Sequence, residues 1–117
     1  MKAKREYLDY FKDILDALEK IEDFTAGIDF EAFVKDHKTT FAVIKALEIV
    51  GEAARKVPKS LRSRYIDIPW QDMAGMRDKL IHDYFGVDLR VVWKTLQTDL
   101  PPLKKAITGV IQKETGK

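Results

Sequence analysis

The stretch YLDYFKDILDALEKI, residues 7–21, decides the fold class of this chain. Its apolar residues recur at steps of three and four, and acids and lysines stand between them. Because an α-helix returns to the same face every 3.6 residues, this spacing predicts an amphipathic helix with one buried face. We expect the helix to run from about Ala3 to Asp23. Its acids should form a face in contact with solvent: Asp9, Asp13, Asp16 and Glu19.

The same helical period continues after a short loop. Asp29 is suited to be the N-cap of a second helix, which carries apolar residues from Phe30 to Ala54 and includes Phe41 in its stripe. The apolar steps lapse at residues 36–40, so this helix is expected to break there. One or two helical turns should follow, in the segment that Pro58 and Pro69 bound.

Two further helices are predicted in the second half of the chain. Pro69 suits the first position of a third helix, and Gly86 suits its end. Asp88 should cap a fourth helix, which the pair Pro101–Pro102 must kink or restart. A polar, poorly ordered tail is expected after it.

The sequence contains no strand-like alternation of any length and no internal repeat, and 117 residues suit one domain. It therefore predicts an all-α fold, an antiparallel bundle of four main helices plus a short connecting helix. The single domain should span residues 1–117, with its core at about residues 3–111. Trp70 and Trp93 both fall on apolar stripes, so we expect them in the core.

The composition excludes several classes of site. The chain has no cysteine and only two histidines, which excludes disulfides, thiolate catalysis, cysteine-bound metals and multi-histidine metal sites. The N-terminus has a basic start without the apolar stretch of a signal peptide, and residues 41–50 contain Lys45 and Glu48. We therefore expect no membrane span and a cytoplasmic location.

The net charge of +2 is unevenly distributed. Residues 1–58 hold 10 basic and 12 acidic side chains, whereas residues 59–117 hold 11 basic and 7 acidic ones. This mild positive bias in the second half is compatible with a phosphate-bearing partner without requiring one.

One cluster stands apart, GMRDKLIHDYFG at residues 75–86. A neutral imidazole can take a proton from a ribose 2′-hydroxyl, and an imidazolium can protonate the leaving 5′-oxygen. A guanidinium can hold phosphate oxygens and stabilise the extra charge of the transition state. These residue types therefore suit cleavage of RNA, and the chemistry needs no metal ion or other cofactor. The other histidine, His37, lies among charged residues and is expected to be exposed.

Helix geometry limits how the cluster can act. Arg77 and His82 are five residues apart, which rotates them by about 140° on a regular helix. Arg77 and Tyr84 nearly share a face. A joint site requires the helix to loosen near Gly86, the arginine to reach round, or a second chain to contribute. Isolated pairs with this spacing are usually a surface arginine and a capping histidine.

The spacing Arg77-x4-His82-x-Tyr84 resembles the signature of HepT-like toxins, small all-helical ribonucleases of the HEPN superfamily. Asp78 stands where the family has a polar residue after the arginine. The neighbouring sequence also resembles the family, and the resemblance covers about residues 7–111. The matching stretches are LEIVGEAA at 47–54, IPW at 68–70 and DLPPL at 99–103.

The resemblance implies a homodimer in which two signature segments face each other across a cleft, so that two copies of Arg77 and His82 line one groove. It implies metal-independent cleavage of an RNA substrate, with His82 as acid/base and Arg77 on the scissile phosphate. It also implies a cognate minimal nucleotidyltransferase antitoxin, which transfers AMP from ATP to Tyr84. An AMP there would add bulk and negative charge where an RNA phosphate must sit. Asp78 could orient Arg77 and Lys79 could touch RNA phosphate, although a surface role suits each equally well.

Two alternatives from other classes stay open at this point. The chain could be a non-catalytic helical module that binds a nucleotidyltransferase partner and a nucleotide or RNA. Binding would then weaken steeply with salt and be indifferent to His82. It could also be a purely structural or dimerisation bundle, which would leave the cluster from Arg77 to Tyr84 unexplained.

Overall fold

A computed structural model of the chain describes the backbone of residues 2–75 and 88–116, and most of these residues are helical. No strand occurs within these two ranges, so the all-α prediction is confirmed. The predicted helix end at Gly86 lies outside the described residues. The elements, in chain order, are α1 (Lys2–Thr25), α2 (Phe30–Lys35), α3 (His37–Lys56), α4 (Lys59–Arg64), α5 (described at residues 70–75), α6 (Leu89–Lys94), a π-helical turn (Thr95–Asp99) and α7 (Leu100–Thr115).

The buried face of α1 forms the middle of the core. Phe11, Ile14, Leu18 and Ile21 are each at most 2% exposed, as the helical spacing predicts. This face packs against α3 and α7. Burying each such side chain contributes about 1.5–3 kcal/mol. The four acids of the opposite face are exposed, as expected. The buried residues that α3 and α7 supply to the core include Val43, Leu47, Val50, Leu103, Ile107 and Val110.

Asp36 produces the predicted break in the second helix. Its N–H donates to the carbonyl of Ala32 at the end of α2, and its side chain caps α3. The carboxylate accepts hydrogen bonds from the Thr39 hydroxyl at 2.6 Å and the Thr39 N–H at 3.1 Å. These two bonds, the hydroxyl one first, hold the pKa of Asp36 below 3.8. Asp29 caps α2 as predicted, because its carboxylate accepts the Ala32 N–H at 2.9 Å.

The placement of Phe41 in the apolar stripe was wrong, since its side chain is 70% exposed. The buried face of α3 runs through Thr40, Val43, Leu47 and Val50. Phe41 follows Thr40 by one residue and is therefore rotated about 100° away from that face.

A π-helical turn precedes the proline pair of α7. Pro101 and Pro102 have no N–H to donate, so Leu100 is the last donor before them. Its N–H bonds to the carbonyl of Thr95, five residues back, and the backbone stays right-handed helical from Lys94 to Leu100. The predicted disturbance at the prolines is thus one π-helical turn, after which α7 begins.

The end of α7 is ordered, so the expected poorly ordered tail was wrong. The helix continues to Thr115 and ends at Gly116, whose φ of 75° is readily adopted by glycine. The Glu114 side chain is only 8% exposed; it accepts a hydrogen bond from the Tyr65 hydroxyl and lies 3.4 Å from Arg64 Nη2. Burial, and then the hydrogen bond to Glu114, raise the pKa of Tyr65 above 10.0.

Across residues 2–75 and 88–116, none of the helices has both the length and the apolar character needed to cross a bilayer.

The contact between Tyr65 and Glu114 predicts a measurable stability loss. Tyr65→Phe should lower the free energy of unfolding by about 1–2 kcal/mol, because the buried carboxylate loses its hydroxyl donor. Since the pKa of Tyr65 is raised, its contribution is fully present below pH 10.0 and is lost as the pH rises through the raised value. Urea unfolding near neutral pH and in an alkaline series measures both effects.

Tyr10→Phe is the matched control for this measurement. Tyr10 is also half-buried, and its hydroxyl has no hydrogen bond among the described residues. Equal losses for the two variants, with the same pH dependence, would contradict the assigned role of Tyr65.

Candidate active site

The predicted site residues belong to the stretch 76–87, which we call the signature segment. It lies outside the residues that the structure describes. The structure does describe the chain that enters the segment, residues 70–75, and the chain that leaves it, residues 88–94. The predicted site residues outside the described ranges are Arg77, Asp78, Lys79, His82 and Tyr84.

The chain that enters the signature segment is anchored in the core. Trp70 is 8% exposed and Met73 is 1% exposed. The Trp70 ring contacts Phe11 of α1 edge-on, with centroids 5.8 Å apart. Its Nε1–H donates to the carbonyl of Tyr65 at 3.0 Å, which satisfies the one polar group of the indole. Trp70 is therefore a core residue as predicted, and it fixes the start of α5 against α1.

Backbone hydrogen bonds define where α5 begins. The Met73 N–H donates to the carbonyl of Pro69 at 3.0 Å, which makes Pro69 the residue just before the helix. The prediction placed Pro69 one position further in. The Trp70 N–H donates to the carbonyl of Ile68 at 2.8 Å and tightens the preceding turn. The signature segment thus follows a helix start with a defined direction.

The chain that leaves the signature segment is capped and packed. The Asp88 carboxylate accepts the Arg90 N–H at 2.9 Å, which confirms the predicted N-cap. That hydrogen bond is the main reason why the pKa of Asp88 lies below 3.8. The Trp93 ring packs against Phe33 and Phe30 of α2, at centroid distances of 5.1 and 6.2 Å. Trp93 is half-buried against the core, in line with its predicted packing role.

The second histidine is separate from this arrangement in the sequence and is exposed. His37 is the first residue of α3, and its exposure is the one expected for a histidine among charged neighbours. Among residues 2–75 and 88–116, no three His, Cys, Asp or Glu side chains are grouped as a metal site.

Sequence reasoning missed one pair that supports the site. Tyr65 and Glu114 are 49 positions apart, and they connect the end of α7 to the turn before α5. The same Tyr65 accepts the Trp70 indole N–H through its carbonyl. Tyr65 lies in the turn after α4 and Glu114 lies near the end of α7, so no local spacing relates the two residues.

Comparison with known proteins places the chain among RNases. The family model described as "Ribonuclease HepT-like" matches residues 14–110. A Thermococcus cleftensis protein named "Probable ribonuclease HepT" is 56% identical over 101 residues, which cover 86% of this chain and 92% of that protein. A protein of Caldanaerobacter subterraneus subsp. tengcongensis with a provisional RNase name is 45% identical over 114 residues, covering 97% of this chain and 99% of its own length.

A third relative, from Methanocaldococcus jannaschii, also has a provisional RNase name. It is 41% identical over 114 residues, which cover 97% of this chain and 94% of the relative. No solved structure matches the chain. The chain belongs to the HepT-like ribonuclease family.

Proposed function

We propose that this chain is a metal-independent endoribonuclease and the toxin of a HEPN/MNT toxin–antitoxin pair, with Arg77 and His82 as its catalytic residues. The observation that carries the proposal is the spacing Arg77-x4-His82-x-Tyr84 in a member of the HepT-like ribonuclease family. A ribonuclease name for a relative that is 56% identical supports the general activity.

The proposed reaction is an internal transfer at the scissile phosphate. The ribose 2′-oxygen attacks the phosphorus, the bond to the 5′-oxygen breaks, and a 2′,3′-cyclic phosphate forms. A neutral His82 imidazole takes the 2′-hydroxyl proton, and an imidazolium returns a proton to the 5′-oxygen. The Arg77 guanidinium binds the phosphate oxygens and stabilises their extra negative charge in the transition state.

The proposed reaction needs both a base and an acid, and two chains that line one groove supply two copies of His82. We propose a homodimer in which both signature segments line this groove, since Arg77 and His82 are rotated by about 140° on a regular helix. The packed flanks support such a site: Trp70 anchors the chain before the segment, and Asp88 caps the helix after it. Catalytic groups that extend from rigid elements are held more precisely than groups on free loops.

Two neighbouring side chains have supporting roles in the proposal. Asp78 follows Arg77 directly and is assigned to orient its guanidinium. Lys79 adds a second positive charge for RNA phosphate, with a weaker and less directional contact than arginine.

Control of the activity is assigned to Tyr84. In the proposed modification, its phenolic oxygen attacks the α-phosphorus of ATP, pyrophosphate leaves, and the phenolic proton passes to a base. A cognate minimal nucleotidyltransferase antitoxin catalyses the transfer. The added AMP is bulky and negatively charged, so it competes with RNA phosphate next to Arg77 and His82.

The histidine assignment predicts a sharp contrast between the two histidines of the chain. His82→Ala should lower the rate of RNA cleavage in EDTA by about 10²- to 10⁴-fold, the usual worth of general acid–base catalysis. His37→Ala is the matched control and should cleave at the normal rate, because His37 lies on α3, outside the signature segment that carries Arg77 and His82. Helical content and oligomeric state, measured for both variants, should be unchanged. An active His82→Ala protein would contradict the proposal.

The tyrosine assignment predicts loss of control without loss of activity. With ATP and the partner nucleotidyltransferase, the normal chain should gain the mass of one adenylyl group (AMP less one water), and Tyr84→Phe should gain none. Intact-mass spectrometry measures the addition, and cell growth with both proteins measures the neutralisation. Tyr10→Phe is the control and should still be modified. AMP addition to Tyr84→Phe at the normal level would place the acceptor elsewhere.

A further inference from the structure

A run of positive charge lies just before the helix that leads to the signature segment. Residues 55–64 contain five basic side chains and no acidic one, and the nearest acids in the sequence are Glu52 and Asp67. Most of this run belongs to α4, a helix of six residues. The five basic residues are Arg55, Lys56, Lys59, Arg62 and Arg64.

An open cleft of about 470 Å³ separates α4 from the start of α5. We call it the α4–α5 cleft. Its volume falls within the range of sites that hold small ligands or one unit of a polymer. Lys59, Arg62 and Ser63 line it on the α4 side, and Gln71 and Asp72 line it on the α5 side.

The two cations that line the cleft, Lys59 and Arg62, have no acidic partner among the described residues. Arg62 is half-buried, and its Nε is a buried donor without a hydrogen-bond acceptor among the described residues. Lys59 is exposed, and neither residue forms an ion pair within residues 2–75 and 88–116. An anion that entered the cleft would therefore meet two positive charges that no described acid neutralises. Arg64 differs, because it already lies 3.4 Å from Glu114.

The remaining lining suits a nucleobase. Ile66 lies in the turn after α4 with 77% of its surface exposed, so it offers an apolar contact at the edge of the cleft. Gln71 is also exposed and carries both a donor and an acceptor. Single-stranded RNA sites combine cations for phosphate with side chains that pack on a base and hydrogen-bond its edge, and Ile66 and Gln71 can supply these two contacts.

We infer that the α4–α5 cleft binds a nucleotide of the single-stranded RNA substrate, with Lys59 and Arg62 on its phosphate and Ile66 and Gln71 against its base. The inference rests on the proposed ribonuclease function and adds a substrate-binding site outside the signature segment. Asp72 and Arg77 are five positions apart, so their Cα atoms are separated by at most about 18 Å. One RNA strand can therefore occupy the cleft and reach the catalytic residues.

The acid in the cleft, Asp72, allows a test in which the expected change in RNA binding has the opposite direction. Asp72 is exposed and lines the cleft, so its carboxylate opposes phosphate binding. Removing its charge should tighten RNA binding, whereas removing the cations should weaken it. A site with no role in RNA binding would show neither effect.

Binding of a labelled single-stranded RNA, measured by fluorescence anisotropy in EDTA on a His82→Ala background, tests the inference without cleavage. The double change Lys59→Ala/Arg62→Gln should weaken binding roughly tenfold and reduce the slope of log K against log salt by about 1.4, the value for two phosphate contacts on a single strand. Lys59→Ala alone should show about half of that slope change, and it keeps the test valid if the double variant is unstable. Asp72→Asn should tighten binding a few-fold.

Lys35→Ala/Lys38→Ala is the matched control, since it removes the same charge from two exposed lysines. Lys35 ends α2 and Lys38 lies in the first turn of α3, whereas α4 follows the end of α3, so nearly the whole length of α3, about 30 Å, separates these lysines from the cleft. The control pair should bind RNA normally. Equal weakening by both double variants would reduce the effect to net charge and overturn the inference.

Cleavage by the same variants with His82 intact separates this inference from the proposed function. If the normal chain cleaves RNA and the cleft variants bind and cleave equally well, the inference fails and the function stands. If the cleft variants lose RNA binding although the normal chain never cleaves, the cleft stands as an RNA site and the function fails. Loss of the nucleotidyltransferase interaction with unchanged RNA binding would identify the cleft as a protein interface and overturn the inference.

Discussion

The buried face of α1 is the constraint on which the rest of the described structure depends. Phe11 and Ile14 are fully buried, and the same face packs against both α3 and α7. Phe11 also contacts the rings of Trp70 and Tyr65 edge-on, at centroid distances of 5.8 and 6.4 Å. One helix face therefore holds the core together and positions the start of the helix that leads to the signature segment. Truncating such a phenylalanine costs about 3–5 kcal/mol, a large part of the stability of a small domain.

Local patterns in the sequence predict the elements well, because helix period and capping depend on neighbouring residues. The α1 stripe and the caps at Asp29 and Asp88 are where the spacing places them. The errors depend on distant or cumulative effects. The order of the last helical turn follows from the contact between Glu114 and Tyr65, which are 49 positions apart. Phe41 is exposed because it is rotated about 100° from the buried face of α3, and steps of three and four residues alone do not distinguish that position from a buried one.

The candidate site was predictable only in part: the sequence indicates which side chains could act, and the resemblance to a family assigns their roles. The chain has only two histidines as candidate acid/base groups, and the chemistry of Arg77 and His82 follows from their side chains. On a regular helix, however, these two residues are rotated by about 140° and do not share a face. The roles of His82 and Tyr84 therefore come from the resemblance to HepT-like toxins, and the family match agrees with it. The α4–α5 cleft had a signal, five cations without an acid in residues 55–64. Its meaning needed the structure, which adds the unpartnered Arg62 Nε and the lining from α5.

The chemistry of the RNA ends tests the central claim most directly. The purified chain is incubated with mixed cellular RNA in EDTA, and the ends of the fragments are identified. Attack by the ribose 2′-oxygen under His82 and Arg77 predicts 2′,3′-cyclic phosphate on one fragment and a 5′-hydroxyl on the other. Fragments with 3′-hydroxyl and 5′-phosphate ends, or intact RNA from a chain that mass spectrometry shows to be free of AMP, would contradict the account.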